Sequence, residues 1–169
     1  MGQNKMLEIR RAETSEDIRR IADLAAEIWK EHFTPIIGAE QVAYMVDKFQ
    51  SERALGEQLA GGYEYYQLWL DGRMAGYTGI HPEQEKLFLS KLYLHKDFRG
   101  RHLATETVEF LKNFARDRGM KAIWLTCNRH NSHTLAVYHH LGFRDVRTQV
   151  ADIGNGFVMD DYILELPIC

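Results

Sequence analysis

The sequence holds little cysteine, with two in 169 residues, Cys127 and Cys169. Two cysteines permit one disulfide at most and supply no metal-ligand spacing. A disulfide framework and a thiolate zinc site are therefore excluded. Cys127 lies in an apolar, strand-like run, and a reducing cytoplasm is the simplest setting. Proline is also scarce, with three. No Pro/Gly/Ser-rich linker, repeat or low-complexity tract divides the chain. Residues 1–169 read as one domain, of a size that buries roughly 70% of the surface its unfolded chain exposes.

A basic excess is missing too. The formal net charge is −3, which speaks against a general nucleic-acid binder. No apolar run approaches the roughly 20 residues of a membrane span. The start, Met1-Gly2-Gln3-Asn4-Lys5-Met6, lacks the apolar centre of a signal peptide. Met6 stands where a myristoylation signal has Ser or Thr. A soluble cytoplasmic protein is expected, with no nucleic-acid or membrane partner.

What is present is periodicity. Leu7 to Arg10 alternates as a short strand does. Thr14 to Asp17 offers caps for a helix carrying Ile18, Ile21, Leu24, Ala25, Ile28 and Trp29. That helix is expected to end near Phe33, before Pro35, with Ile36-Ile37-Gly38 as a loop. A second helix presents Val42, Met45, Val46 and Phe49, and Leu55 and Leu59 suit a short third.

Two strands, Tyr65 to Leu70 and Arg73 to Ile80, flank the hairpin signal Asp71-Gly72. Leu87 to Leu94 is apolar enough to be expected buried on both faces. A helix follows from Leu103 to Gly119, then a strand from Ala122 to Cys127 and a helix closed by Gly142. Two strands joined through Gly154-Asn155-Gly156 complete the chain. The order is strand, helices, three strands, helix, strand, helix, two strands. That is an α/β chain with a mixed sheet and helices packed on it.

The junction after Leu94 carries the most chemical information. A strand ends, Arg99-Gly100-Arg101-His102 follows, and a helix opens at Leu103-Ala104-Thr105. Free N–H groups at a helix start, with their partial positive charge, bind anions. Successive amides in the turn can form a nest for a diphosphate. Gly100 lets the backbone approach, Arg99 and Arg101 add charge, and the Thr105 hydroxyl could reach a phosphate oxygen. No Lys-Ser/Thr pair follows the glycine, so the turn is not a P-loop.

This turn resembles the GCN5-related N-acetyltransferase family. The family carries Arg/Gln-x-x-Gly-x-Gly/Ala between its fourth strand and third helix, where backbone amides hold the acetyl-CoA pyrophosphate. The match runs through Arg99, Gly100, Arg101, His102, Leu103 and Ala104. It departs at His102, where the family usually has Gly. A second match covers Asn131 to Phe143, with Asn131, Ala136, Tyr138 and Leu141-Gly142-Phe143 in the family's order.

The resemblance implies splayed fourth and fifth strands with the pantetheine arm along Leu92, Tyr93 and Leu94. It implies that Asn131 contacts pantetheine and that acetyl-CoA is the co-substrate. It implies direct attack of a primary amine on the thioester, with Tyr138 as general acid to the CoA thiolate. By helix periodicity alone, Tyr138 reads rather as a core aromatic beside Leu135 and Leu141. Among the histidines, His130 and His133 are three apart and His139 and His140 adjacent, and no Cys or carboxylate completes a tetrahedral set, so no metal is expected.

The base stays open among His81, Glu83, Glu85, Ser90 and Tyr93. The acceptor is a small-molecule or peptide amine. The resemblance places it near Trp29 to Gln50, where Trp29, Phe33, Ile36, Ile37, Tyr44 and Met45 could wall a cleft. Glu27, Glu31, Glu40 and Asp47 could hold a cation there. A homodimer remains open. The alternatives are a non-catalytic acyl-CoA-binding module and a nucleotide-binding domain using the same anion turn.

Overall fold

The computed structural model describes residues 7–168, so the expectations for Met1 to Met6 and for Cys169 lie outside the described residues. Thr14 starts the first helix by a reciprocal cap. Its hydroxyl accepts from the Asp17 N–H at 3.1 Å, and the Asp17 carboxylate accepts from the Thr14 N–H at 3.2 Å. The helix, α1 (Ser15–Ile37), runs through Pro35 and ends only at Gly38 (φ 87°), which corrects the expected stop near Phe33. A proline this close to the helix end removes few hydrogen bonds. The Gly38 N–H still donates to Thr34 O at 3.0 Å, and Thr34 Oγ1 donates to Lys30 O at 2.6 Å.

Helix α2 (Ala39–Met45) passes into a π-helical turn at Val46–Gln50, and α3 (Glu52–Ala60) follows. The strands are β1 (Glu8–Arg11), β2 (Glu64–Leu70), β3 (Arg73–Pro82), β4 (Lys86–Leu94), β5 (Ala122–Asn128), β6 (Arg144–Gly154) and β7 (Phe157–Pro167). The remaining helices are α4 (Leu103–Asp117) and α5 (Ser132–His140), and a 3₁₀ turn occupies Lys96–Phe98. The strands form one mixed sheet in the order β1-β2-β3-β4-β5-β7-β6. Asp71 (φ 54°) and Gly72 (φ 74°) take the left-handed conformation that a two-residue hairpin requires.

Residues group into two compact units, 7–81 with 91–108 and 82–90 with 109–168. In the first, β1, β2 and β3 pair antiparallel. The core there joins Ile18, Ile21, Ala25 and Ile28 of α1 to Leu55, Tyr65 and Tyr77. A Cβ on Gly76 of β3 would stand 2.2 Å from the Tyr93 carbonyl oxygen, so only glycine fits there.

In the second unit, β5 pairs antiparallel with β7 from Ala122↔Pro167 to Asn128↔Asp161, and β7 with β6. The β4–β5 ladder is parallel and short: Lys86↔Ala122, Leu87↔Ile123 and Phe88↔Trp124.

Strand β4 is not buried on both faces. Leu87, Leu89 and Lys91 are buried, while Phe88, Ser90 and Leu92 are half-buried. The more open face carries an aromatic stack, Phe88 on Trp124 at 4.2 Å. No described helix is long and apolar enough to cross a membrane.

Candidate functional site

The turn after β4 is built from its apolar anchors outward. Phe98 and Leu103 are buried with Leu70 and Ala75, which fixes both ends of the segment between them. The His95 N–H donates to Ala75 O at 2.8 Å, and the Asp97 N–H donates to His95 Nδ1 at 3.2 Å. Between the anchors, Gly100 (φ 78°) and His102 (φ 61°) are left-handed.

The N–H groups of Gly100, Arg101, His102, Leu103, Ala104 and Thr105 donate no hydrogen bond among the described residues. A run of free donors at a helix start is an anion site in waiting. Gly100, Arg101 and His102 are exposed, and Ala104 and Thr105 are half-buried.

The cationic side chains are arranged differently from the sequence expectation. Arg99 grips Glu31 through Nη1 at 2.6 and 3.2 Å, and its Nε donates to Leu94 O at 3.1 Å. It therefore ties α1 to the end of β4, with its charge already paired. Arg101 lies over the Phe98 ring at 5.5 Å.

His102 occupies a backbone conformation that costs a non-glycine residue about 1–2 kcal/mol. His102→Gly is therefore expected to keep or improve acetyl-CoA affinity, measured by calorimetry. A large loss would mean that the imidazole itself holds phosphate.

Leu92, Tyr93 and Leu94 close the same unit's part of β4. Tyr93 sits in an aromatic group with Trp29 (5.5 Å), Phe33 (5.9 Å) and Tyr77 (5.6 Å). Trp29, Phe33 and Met45 are buried core residues, so the structure does not make them walls of an open cleft. Of the acidic residues expected to hold a cation, Glu31 pairs with Arg99 and Glu27 accepts from His95 at 2.9 Å.

One buried charge in this unit was not anticipated. Lys91 is 5% exposed, and its Nζ donates to Gln58 Oε1 at 2.8 Å and to Tyr65 OH at 2.6 Å. Burial pulls its pKa down to about 7.

The second unit holds Asn131 and Tyr138. Asn131 is buried at the start of α5. Tyr138 packs edge-on to Phe143 at 5.3 Å, with its ring buried. Its hydroxyl makes no hydrogen bond among the described residues, yet it is not sealed from solvent. Burial first, and the neighbouring Cys127 second, raise the phenol above its ordinary range. The group therefore stays protonated at any physiological pH.

Cys127 is a free thiol, which burial and the carboxylates of Asp161 and Asp145 push up to about 12. Near neutrality that thiol holds its proton.

Two of the five base candidates are engaged on the turn before β4. Glu83 accepts from Trp124 Nε1 at 2.9 Å, and Glu85 pairs with Lys121 at 3.2 Å. His81 stacks on Tyr63 at 4.6 Å. Sequence reasoning passed over Asp161 of β7, whose carboxyl burial first, and Asp160 second, push up to about 6. A signal was available. Asp160 and Asp161 are adjacent on a strand, so one of them must face inward.

A mixed sheet whose fourth strand is followed, after a short turn, by a helix start with unbonded amides defines the class, the fold of GNAT acetyltransferases. Residues 21–143 match the acetyltransferase (GNAT) family, and the chain belongs to that family. An uncharacterized N-acetyltransferase of Mycobacterium bovis is 28% identical over 149 residues, 85% of this chain and 96% of the relative.

The PaiA N-acetyltransferase of Thermoplasma acidophilum, solved in complex with coenzyme A, superposes with a TM-score of 0.80 at 19% identity. It covers 96% of this chain and 99% of that one. The yncA protein of Salmonella typhimurium, solved with its cofactor acetyl-CoA, gives a TM-score of 0.64 at 16% identity, covering 96% and 94%.

Proposed function

We propose that residues 1–169 act as one domain that moves the acetyl group of acetyl-CoA to a primary amine by direct attack. The observation that carries this reading is the run of unbonded amides from Gly100 to Thr105, which suits a pyrophosphate. Arg101 and the Thr105 hydroxyl add to that cradle. Leu92, Tyr93 and Leu94 pair with the pantetheine amides, and Asn131 supplies a side-chain contact. Similar folds solved with coenzyme A or acetyl-CoA support the choice of cofactor.

The chemistry needs three things from the chain. A backbone N–H on β4, at Leu92 or Leu94, stabilises the oxyanion of the tetrahedral intermediate. The nitrogen must lose its protons. The leaving thiolate, with a pKa of about 8.5 like that of a free thiol, takes a proton from Tyr138. The C–N bond forms, the C–S bond breaks, and amide and CoA thiol leave. The acceptor is a small-molecule or peptide amine.

Thermal shift separates this from the nucleotide-binding reading. Acetyl-CoA should raise the unfolding midpoint, and ATP at the same concentration should not. Equal shifts would favour a generic anion site.

A further inference from the structure

The turn that carries the free amides does not hold itself. From Gly100 to Thr105 no N–H is bonded among the described residues, and Gly100 and His102 are left-handed. A non-glycine residue leaves that conformation when free to do so. The shape must come from the flanks. On the far flank Leu103 is buried at the start of α4. On the near flank a 3₁₀ turn, capped by His95 and Arg99, is built around buried Phe98.

Helix α1 grips both ends of that 3₁₀ turn. His95 Nδ1 accepts the Asp97 N–H at 3.2 Å, so the ring proton sits on Nε2 and is donated to Glu27 Oε1 at 2.9 Å. Arg99 donates through Nη1 to both oxygens of Glu31 at 2.6 and 3.2 Å, and through Nε to Leu94 O at 3.1 Å. Glu27 and Glu31 are one helical turn apart and share a face of α1. One pair alone would leave the 3₁₀ turn free to pivot, and two fix its direction. Arg73 of β3 reaches Asp97 at 3.6 Å and lies over the Phe98 ring, so it holds the middle of the turn rather than its ends.

We propose that Glu27 and Glu31 are positioning residues for the cofactor, holding His95 and Arg99 so that the amides after them converge on the pyrophosphate. This rests on the cradle reading above. It gives the two carboxylates a part in cofactor binding in place of holding the acceptor's cation. They act through the turn and not by contact with acetyl-CoA.

The sign of the effect separates this role from its rivals. A carboxylate that merely stood near the cradle would repel the phosphates, and one that merely occupied Arg99 would keep that charge from them. Removing either would tighten acetyl-CoA binding. A carboxylate that shapes the cradle does the opposite. Without it the empty turn samples other conformations, and binding must order it again.

Calorimetry with acetyl-CoA compares the wild type, Glu27→Ala, Glu31→Ala and the double variant in the full chain. Partly exposed ion pairs are individually weak, so the double variant should bind about three- to tenfold more weakly. With the best amine from a panel starting at n-butylamine, KM for acetyl-CoA should rise by the same factor while kcat stays within about twofold. Glu27→Gln keeps an oxygen that accepts from His95, and should return affinity to within about twofold of the wild type. In an Arg99→Met background Glu31→Ala should add no further loss, because its partner is gone. Equal or tighter binding by the double variant overturns the assignment.

Amide hydrogen exchange reads the grip without the cofactor. The N–H groups of Asp97 and Phe98 donate to His95 Nδ1 and His95 O. Both should exchange about threefold or more faster in the double variant. Unchanged exchange overturns the grip. If the wild type binds acetyl-CoA but acetylates no amine, the transfer reading falls, and weaker binding with faster exchange in the double variant still upholds the positioning role.

Discussion

Tyr138→Phe lowers kcat by about 10²-fold or more, while acetyl-CoA affinity and the unfolding midpoint stay close to wild type. The substitution removes one oxygen from a ring that is 8% exposed. That oxygen makes no hydrogen bond among the described residues, so its loss leaves no partner unsatisfied. Stability should change by less than about 0.5 kcal/mol, or about 2 °C in Tm.

Under the proposed mechanism the transfer loses its acid. Because burial raises the phenol's pKa, Tyr138 keeps its proton through neutral and mildly alkaline pH. The defect should therefore be constant from about pH 6 to 9. Thiol release measured at saturating acetyl-CoA checks it. Full turnover in the variant across that range would make Tyr138 a core aromatic and nothing more.

Lys91→Met stabilises the protein at neutral pH, and the gain disappears as pH rises. Lys91 is unlike a surface lysine because its ammonium is almost wholly removed from water. The folded pKa of about 7 lies below the ordinary 10.5. Below pH 7 both folded and unfolded chains carry the charge, and folding bears the full desolvation cost. Between pH 7 and 10.5 the unfolded chain holds a proton that the folded chain has released, so stability rises with pH.

A shift of this size corresponds to at most about 5 kcal/mol. Removing the lysine leaves its neighbours partnered, since the Tyr65 hydroxyl also donates to Gln58 Oε1 and Gln58 Nε2 donates to Phe49 O at 3.2 Å. Urea unfolding of both proteins from pH 6 to 10 should show the variant ahead at pH 6–7, with the lead closing by pH 10. A constant difference would mean that Lys91 is not titrating in the folded state.

The Gly/Arg turn and the helix start behind it were legible in sequence because such a turn between a strand and a helix is a local pattern, and the free amides follow from position. The helix after Asn131 was legible for the same reason. What escaped depended on the third dimension. Pro35 suggested a helix end, but near the C-terminus the helix absorbs it and Gly38 provides the stop. The Arg99 charge was assigned to the ligand. Its pairing with Glu31, 68 residues away, is a contact that sequence spacing does not show.

Lys91 and Asp161 each broke an otherwise apolar or alternating strand. That break was the available signal, but only burial and the absence or presence of a partner distinguish the two. Lys91 is satisfied by Gln58 and Tyr65, and Asp161 by nothing among the described residues.

If the free amides from Gly100 to Thr105 hold acetyl-CoA for transfer to an amine, thiol release from acetyl-CoA, followed across a panel of primary amines with the wild-type protein, shows it most directly. Amine-dependent release, with acetylated amine formed in equal amount, is the predicted result. Tight acetyl-CoA binding with no release on any amine would contradict it and leave a binding module in its place.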